Sequence, residues 1–167
     1  AGVDWTISKR PVFVPYSPGV EDFAFGGSVL RADDYSMLVR DSDNKVFGPA
    51  GPDYVPTQNE VAFNFFTKFT EAGRMAIECA GILKEGRLIW VLASIKDKQL
   101  VLPGDDVVVP YVLLVQPHIW GRALIVKFTT IRPVCYNTLV QAINEKMATF
   151  RMTHIRAFDD LAVKEAE

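Results

Sequence analysis

The stretch Leu88-Ile-Trp-Val-Leu-Ala-Ser-Ile95 is apolar at every position but one, so an extended chain here is apolar on both faces. A strand of this kind is covered on two sides, which predicts the centre of a β-sheet. The mainly apolar residues 76–83 precede it, and Lys84-Glu-Gly-Arg87 joins the two segments with the glycine that a hairpin turn favours. The sequence therefore predicts two neighbouring antiparallel strands over residues 76–95.

Downstream of this pair the strand pattern continues. Residues 107–116 and 122–132 are predicted as long strands connected by Pro117-His-Ile-Trp-Gly121, and residues 148–156 as a final strand. A short helix lies before the final strand, and Asn137 is the residue predicted to cap its start. Short connections between consecutive strands favour an antiparallel sheet.

Upstream of the pair, the sequence predicts a strand over residues 5–14. A β-hairpin is predicted from residues 36–40 and 45–48, because the Asp- and Asn-rich segment between them favours a turn. Residues 15–34 contain three glycines, two prolines and four acidic side chains, and they are predicted to form a mobile loop.

A Phe-rich helix follows the hairpin. Thr57 and Glu60 have the spacing of a capping box, which predicts the start of the helix, and Gly73 supplies its end. Its phenylalanines recur on one helical face, and such a stripe predicts contact with the protein core.

These elements predict an α+β fold, an antiparallel β-sheet meander with a β-hairpin and two main helices packed on one face. Residues 1–167 are predicted to form a single domain, because a chain of this length buries most of its apolar surface without disulfides or metals. Within it, residues 157–167 are predicted to be a C-terminal tail or a short helix.

Composition and charge narrow the class of protein. The formal net charge is −2, which disfavours a domain that is basic over its whole surface, but residues 74–156 hold eleven basic and six acidic side chains. No apolar run reaches the roughly 18 residues of a membrane span. Two distant cysteines form no disulfide framework, which favours a reducing compartment, so a cytoplasmic location without membrane contact is expected.

Signals for catalysis are weak. His118 and His154 could join Asp105 and Asp106 in a metal or acid–base site, but the chain lacks the spacings of common metal motifs. Phosphate-loop and dinucleotide fingerprints are also absent. The sequence therefore predicts no catalytic residue and no cofactor, and a metal-dependent nucleic-acid hydrolase stays open as an alternative.

Signals for binding are stronger. In the predicted strand over residues 122–132, alternate side chains share a face, and the charges of one face stand at its two ends, Arg122 and Arg132. Trp120 lies in the preceding loop beside His118, where packing does not obviously require a large aromatic ring. Basic groups near an exposed aromatic side chain can hold a phosphate backbone and stack a base, which favours single-strand binding.

Three segments carry a family resemblance. They are Tyr54-Val-Pro-Thr-Gln-Asn59, Glu85-Gly-Arg-Leu-Ile-Trp-Val-Leu-Ala93, and a third that runs from residue 104 to Arg132-Pro-Val-Cys-Tyr-Asn-Thr-Leu139 and ends near residue 154. Together they resemble the phage/plasmid-like proteins of bacteriophages, prophages and plasmids over roughly residues 1–156. The family commonly has Asp-Gly-Ser after the histidine, whereas this chain has Ile119-Trp-Gly121. The family brings no assigned reaction.

The order of the elements is similar, more distantly, to that of single-strand annealing proteins of the Red-beta and RecT type. That resemblance implies binding of single-stranded DNA in a basic groove of a homo-oligomer that forms rings or filaments. The expected phosphate ligands are Arg87, Arg122, Lys127, Arg132 and Arg151. The expected stacking groups are Trp120, His118 and Tyr54.

The functional expectation is therefore a phage or plasmid DNA-metabolism protein that binds single-stranded DNA and acts in recombination or annealing. Besides the hydrolase, a virion or assembly component remains an alternative, in which the same sheet would bury a subunit interface.

Overall fold

The computed structural model of the chain describes residues 2–16, 28–73, 75–95, 100–102 and 106–154. Its strands are β1 (Ile7–Tyr16), β2 (Ser28–Arg40), β3 (Lys45–Ala50), β4 (Met75–Leu83), β5 (Leu88–Ile95), β6 (Leu100–Leu102), β7 (Asp106–Val108), β8 (Tyr111–Pro117), β9 (Leu124–Thr129) and β10 (Thr149–Met152). Its α-helices are α1 (Asn59–Ala72) and α2 (Tyr136–Asn144).

The largest sheet has the strand order β10-β9-β8-β5-β4, and every pair in it is antiparallel. Apart from the small β6–β7 hairpin between β5 and β8, the strands lie side by side in chain order. This is the predicted meander, and β5, whose first six residues are buried, lies inside it between β4 and β8. A second sheet has the order β1-β2-β3 and contains the predicted hairpin at its β2–β3 turn.

The two helices cover opposite faces of the large sheet. Phe65 and Phe66 of α1 pack in one core cluster with Val91 of β5, whereas Leu139 of α2 packs in another cluster with Trp90. Successive residues of a strand point to opposite faces, so the two clusters lie on different sides of β5. The α+β class is confirmed, but the prediction that both helices share one face is wrong. The reason is that β5 is apolar on both faces and requires two covers.

Both helices begin with caps that differ from those predicted. The N-cap residue of α1 is Gln58, whose side chain makes no capping bond because it bonds to the Ile7 backbone. Thr57, the predicted cap, contacts the ring of His154. In α2 the N-cap is Cys135 rather than Asn137, and the Thr138 hydroxyl accepts a hydrogen bond from the Cys135 backbone N–H. The capping box of α2 therefore starts the helix two residues earlier than predicted.

Nine residues of the predicted mobile loop over residues 15–34 are strand. Pro15 and Tyr16 end β1, and residues 28–34 belong to β2, which pairs with β1 on both sides of an irregularity in register at Pro11 and Val12. Residues 17–27 and the predicted tail 157–167 lie outside the described residues. The predicted strand 107–116 is divided into β7 and β8 on either side of Val109 and Pro110, because proline cannot donate to a strand ladder.

A joint of hydrogen bonds connects the segment before β1 and the start of β1 to the large sheet. The Gln58 side chain accepts a bond from the Ile7 N–H (2.9 Å) and donates one to the Ile7 carbonyl (2.8 Å). The buried Asn59 donates through Nδ2 to the carbonyls of Val3 and Trp5, and its Oδ1 lies 2.7 Å from Nε2 of His118 at the end of β8. The adjacent side chains of Gln58 and Asn59 therefore connect the three-stranded sheet to the large sheet.

We expect Asn59→Ala to lower the free energy of unfolding by about 3 kcal/mol, because it leaves two backbone carbonyls and one imidazole nitrogen without their partner. Urea unfolding followed by circular dichroism measures the change. Glu60→Gln, at the exposed next position, is the matched control and should change stability by less than about 0.5 kcal/mol. Equal unfolding midpoints for Asn59→Ala and the control would contradict the role given to the joint.

Candidate nucleic-acid interface

A groove with a volume of about 620 Å³ runs between the large sheet and α2 on the face that α2 covers. We call it the basic groove. Its charged and aromatic lining consists of Lys84, Arg122, Tyr136 and Arg151. Its apolar wall includes Leu88, Val115, Ile125, Val140 and Ile143.

The fold brings the groove residues together from four separate segments. Arg151 of β10 stands directly opposite Ile125 of β9, so its side chain lies on the same face as that groove residue. Lys84 belongs to the turn between β4 and β5, and Arg122 to the loop before β9. Tyr136 is the first residue of α2, where the capping box fixes the backbone.

The groove carries cationic charge without neutralising partners. The side chains of Arg122 and Arg151 form no ion pair or hydrogen bond with any residue that the structure describes, and no acidic side chain is among the described lining residues. The Lys84 ammonium lies 4.8 Å from the centre of the Tyr136 ring, in a cation–π contact. An exposed guanidinium without a carboxylate partner keeps its full attraction for an anion.

A second cavity adjoins the groove and shares Arg122 with it. This Trp120 pocket has a volume of about 320 Å³ and is lined by Gly51, Tyr54, Trp120, Arg122 and His154, among others. The Trp120 indole is 49% exposed and packs against Gly51, where an added Cβ would lie 3.2 Å from the indole ring. Glycine at position 51 thus allows the indole to approach the backbone closely.

The inner wall of the Trp120 pocket is polar and buried. The rings of Tyr54 and His154 are stacked with centroids 4.9 Å apart, and Nδ1 of His154 lies 3.1 Å from Oγ1 of Thr57. The Val55 N–H donates to the His154 carbonyl, which ties β10 to the segment before α1. Tyr54 Oη and His154 Nε2 are both buried without a hydrogen-bond partner.

Burial fixes the protonation of this region. It lowers the pKa of His118 to about 3, with a smaller contribution from the nearby His154, and it lowers the pKa of His154 as well. It also raises the pKa of the Tyr54 phenol. At neutral pH both imidazoles are uncharged and the phenol keeps its proton. The inner wall of the pocket, formed by Tyr54 and His154, therefore offers hydrogen-bonding groups but no charge.

The family model described as "Domain of unknown function (DUF932)" matches residues 46–167, nearly three quarters of the chain. The chain belongs to the DUF932 family. The DUF932 match begins within β3 and includes the whole large sheet, both helices, the basic groove and the Trp120 pocket. No curated protein and no solved structure matches the chain.

Of the eight residues predicted to contact nucleic acid, Arg122, Arg151 and Trp120 converge on one surface of this DUF932 chain, where the groove meets the Trp120 pocket. Tyr54 lies in the inner wall of the pocket and is buried, so it is not the exposed stacking group that was predicted. Arg132 is exposed, but it is not among the described residues that line either cavity.

Two of the predicted phosphate ligands, Lys127 and Arg87, instead bind backbone carbonyls inside the protein or at the contact between the two sheets. Lys127 is buried and donates to the carbonyls of Ile143 and Glu145, where it closes the end of α2. Arg87 donates from Nε to the Phe47 carbonyl at 2.7 Å, which links β3 to the start of β5. Both cations therefore bind the protein's own backbone.

His118 is also enclosed. It is 1% exposed, and its ring lies against those of Trp5 and Phe47 while Nε2 meets Asn59. A buried ring in this position supports the joint and is not available to stack a base. No local pattern indicates this burial, since His118 stands in a loop-like segment between two strands.

The alternative metal site gains no geometric support. His118 bonds to Asn59 and His154 to Thr57, and no group of three metal-ligating side chains occurs among the residues that the structure describes. Asp105 and the side chain of Asp106 lie outside the described part, so the prediction that they join the histidines stays untested.

Two groove residues were not predicted from the sequence. Lys84 precedes the hairpin glycine, and its position near Arg87 marks a basic turn that could have suggested it. Tyr136 lies inside the Arg132-to-Leu139 segment, but nothing in its spacing predicts that it is 41% exposed and faces a lysine. The exposure of Tyr136 and its contact with Lys84 follow from where α2 packs against the sheet.

The low pKa of His118 predicts how stability depends on pH. The unfolded chain takes up a proton near pH 6.5 and the folded chain only near pH 3, so stability is complete above pH 6.5 and falls as the pH is lowered. Between pH 7.5 and 5.5 this one group should remove about 1.4 kcal/mol.

Urea unfolding of the wild type and of His118→Gln at these two pH values measures the effect. We expect the decline of the wild type to exceed that of the variant by about 1.4 kcal/mol, because the carboxylates titrate alike in both proteins. NMR titration of the His118 imidazole checks the same point in the wild type alone. A ring that protonates near pH 6.5 in the folded protein would contradict the argument.

Proposed function

We propose that this protein binds single-stranded DNA in the basic groove and acts in phage or plasmid DNA metabolism as a recombination or annealing protein. The observation that carries the proposal is the pair Arg122 and Arg151, two guanidinium groups without partners among the described residues. Both line the basic groove, and no acidic side chain is among the described residues that line it. A guanidinium group without a carboxylate partner can form charge-assisted, bidentate hydrogen bonds with a phosphate.

The aromatic residues favour a single strand over a duplex. Tyr136 and Trp120 are 41% and 49% exposed beside the arginines, and their rings can stack on the faces of unpaired bases. In a duplex those faces are covered by neighbouring base pairs. A net charge of −2 is compatible with such binding, since the cations are concentrated locally.

The class of activity follows from what the groove contains. Holding phosphates while bases stay free for pairing requires cations and stacking rings and needs no catalytic group. This agrees with the resemblance of the sequence to phage/plasmid-like proteins and of its element order to annealing proteins. The DUF932 description itself names no activity. A cytoplasmic location in the bacterial host fits the same proposal.

The oligomeric part of the proposal rests on the β1–β2 ribbon. Phe13 and Val14 of β1, and Val29 and Leu30 of β2, are all at least half exposed. Successive residues of a strand point to opposite faces, so neither face of the ribbon is covered. A bare two-stranded ribbon with apolar side chains is only marginally stable in water, and a second copy of the chain would cover it.

The binding prediction is tested with an Arg122→Gln/Arg151→Gln variant and a labelled oligodeoxythymidine in fluorescence anisotropy at salt concentrations from about 50 to 200 mM. We expect weaker binding and a shallower slope of log affinity against log salt, by about 0.7 for each phosphate that the variant no longer neutralises. Lys68→Gln removes an exposed cation from α1, on the other side of the sheet, and should leave the slope unchanged. Equal slopes for the wild type and the double variant would refute phosphate binding in the basic groove.

The oligomer prediction is tested by light scattering on the purified protein. We expect the wild type to form an oligomer and Leu30→Lys to shift it towards the monomer, because a charge cannot be buried at an apolar contact. Val46→Lys alters an equally exposed valine in β3 and serves as the control. A monomeric wild type would remove the ring or filament from the proposal, together with the virion or assembly alternative.

A further inference from the structure

We propose that the Trp120 pocket takes one nucleobase of the bound strand and reads its edge through Tyr54 and His154. The inference rests on the proposed binding of single-stranded DNA and assigns to it a base-recognition site. The basic groove alone holds a sugar-phosphate chain, whereas this pocket adds recognition of a single planar heterocycle.

The connection between the two cavities supports this assignment. Arg122 lines both of them, so a phosphate held there places the attached nucleotide at the mouth of the Trp120 pocket. The pocket, with about 320 Å³, lies at the lower end of the range typical of small-molecule sites. Its size suits one base with part of its sugar.

The inner wall has the chemistry that a base edge requires. Tyr54 Oη and His154 Nε2 are unpartnered atoms on side chains that are 6% and 4% exposed. Native proteins pair nearly all their buried polar atoms, so two unpaired atoms on stacked neighbouring rings in one cavity indicate missing partners. The Watson–Crick edge of a base offers donors and acceptors side by side and can supply both.

The two rings are held in place from behind. Thr57 contacts Nδ1 of His154, and the His154 backbone carbonyl accepts the Val55 N–H, so the imidazole is fixed with Nε2 as its unused nitrogen. Burial keeps the imidazole neutral and the phenol protonated. This uncharged inner wall suits a neutral base, and the charged side chains on the described lining of the pocket are those of Asp53 and Arg122.

Trp120 is the wall of the pocket that can open. Its ring is half exposed and belongs to a loop, and it contacts Gly51 and the edge of Tyr35. Oη of Tyr54 and Nε2 of His154 are shielded from solvent, so in this proposal part of the pocket lining moves when the base enters, and the half-exposed indole is the ring on which the base stacks.

The test compares an oligodeoxythymidine with an oligonucleotide of equal length and phosphate number that carries abasic sites throughout. We expect the wild type to bind the abasic strand at least about tenfold more weakly, and Trp120→Ala to reduce this ratio towards one while the salt slope persists. Arg122→Gln/Arg151→Gln should weaken both strands alike. Equal binding of the two strands by the wild type, with a normal salt slope, overturns the pocket and leaves the groove standing. Failure to bind either strand overturns both.

A second variant isolates the polar wall. Tyr54→Phe keeps the ring that stacks on His154 and removes only the unpartnered hydroxyl, so thermal stability should be equal or higher. Among the four homopolymeric oligonucleotides, we expect the ratio of strongest to weakest binding to fall in this variant. An unchanged ratio shows that Oη does not contact the base and refutes the reading of its edge by Tyr54.

Discussion

The arrangement of the protein depends on the hydrogen bonds of Asn59. Its side chain is buried at the start of α1. The amide nitrogen donates to two backbone carbonyls before β1, and the amide oxygen bonds to the imidazole of His118 at the end of β8. Together with Gln58 it fixes α1, the N-terminal segment and the large sheet relative to one another. The segment just before it also holds His154, so the polar wall of the Trp120 pocket is built on the same short stretch of chain.

Four of the five predicted phosphate ligands divide into two groups in this fold, according to what their side chains bind. Lys127 and Arg87 satisfy backbone carbonyls at the end of α2 and in β3, so their charges support structure. Arg122 and Arg151 have no such partners among the described residues and lie on one groove. A sequence does not distinguish a basic residue that binds backbone carbonyls from one that is free to bind an anion. The distinction depends on the contacts that the folded chain gives each side chain.

Local patterns predicted most of the architecture, because apolar runs and turn residues act over a few positions. The strands around Leu88–Ile95, the hairpin and both helices are present in the structure. The side of the sheet taken by each helix was not predictable, since β5 is apolar on both faces and accepts a cover on either. The burial of His118 and Tyr54 was missed for a related reason. Both are buried through contacts with residues distant in the chain.

The joint at Gln58 and Asn59 also bears on how the N-terminal segment can vary between relatives. Every upstream atom that these two side chains bind is a main-chain atom, namely the carbonyls of Val3, Trp5 and Ile7 and the Ile7 N–H. Main-chain atoms are the same in nearly every amino acid, so this recognition does not depend on which residues occupy the segment. The DUF932 match begins only at residue 46. The hydrogen bonds of the joint therefore set where the segment attaches, whereas packing separately constrains its side chains, as Ile7 is constrained by its core cluster with Leu38 and Phe47.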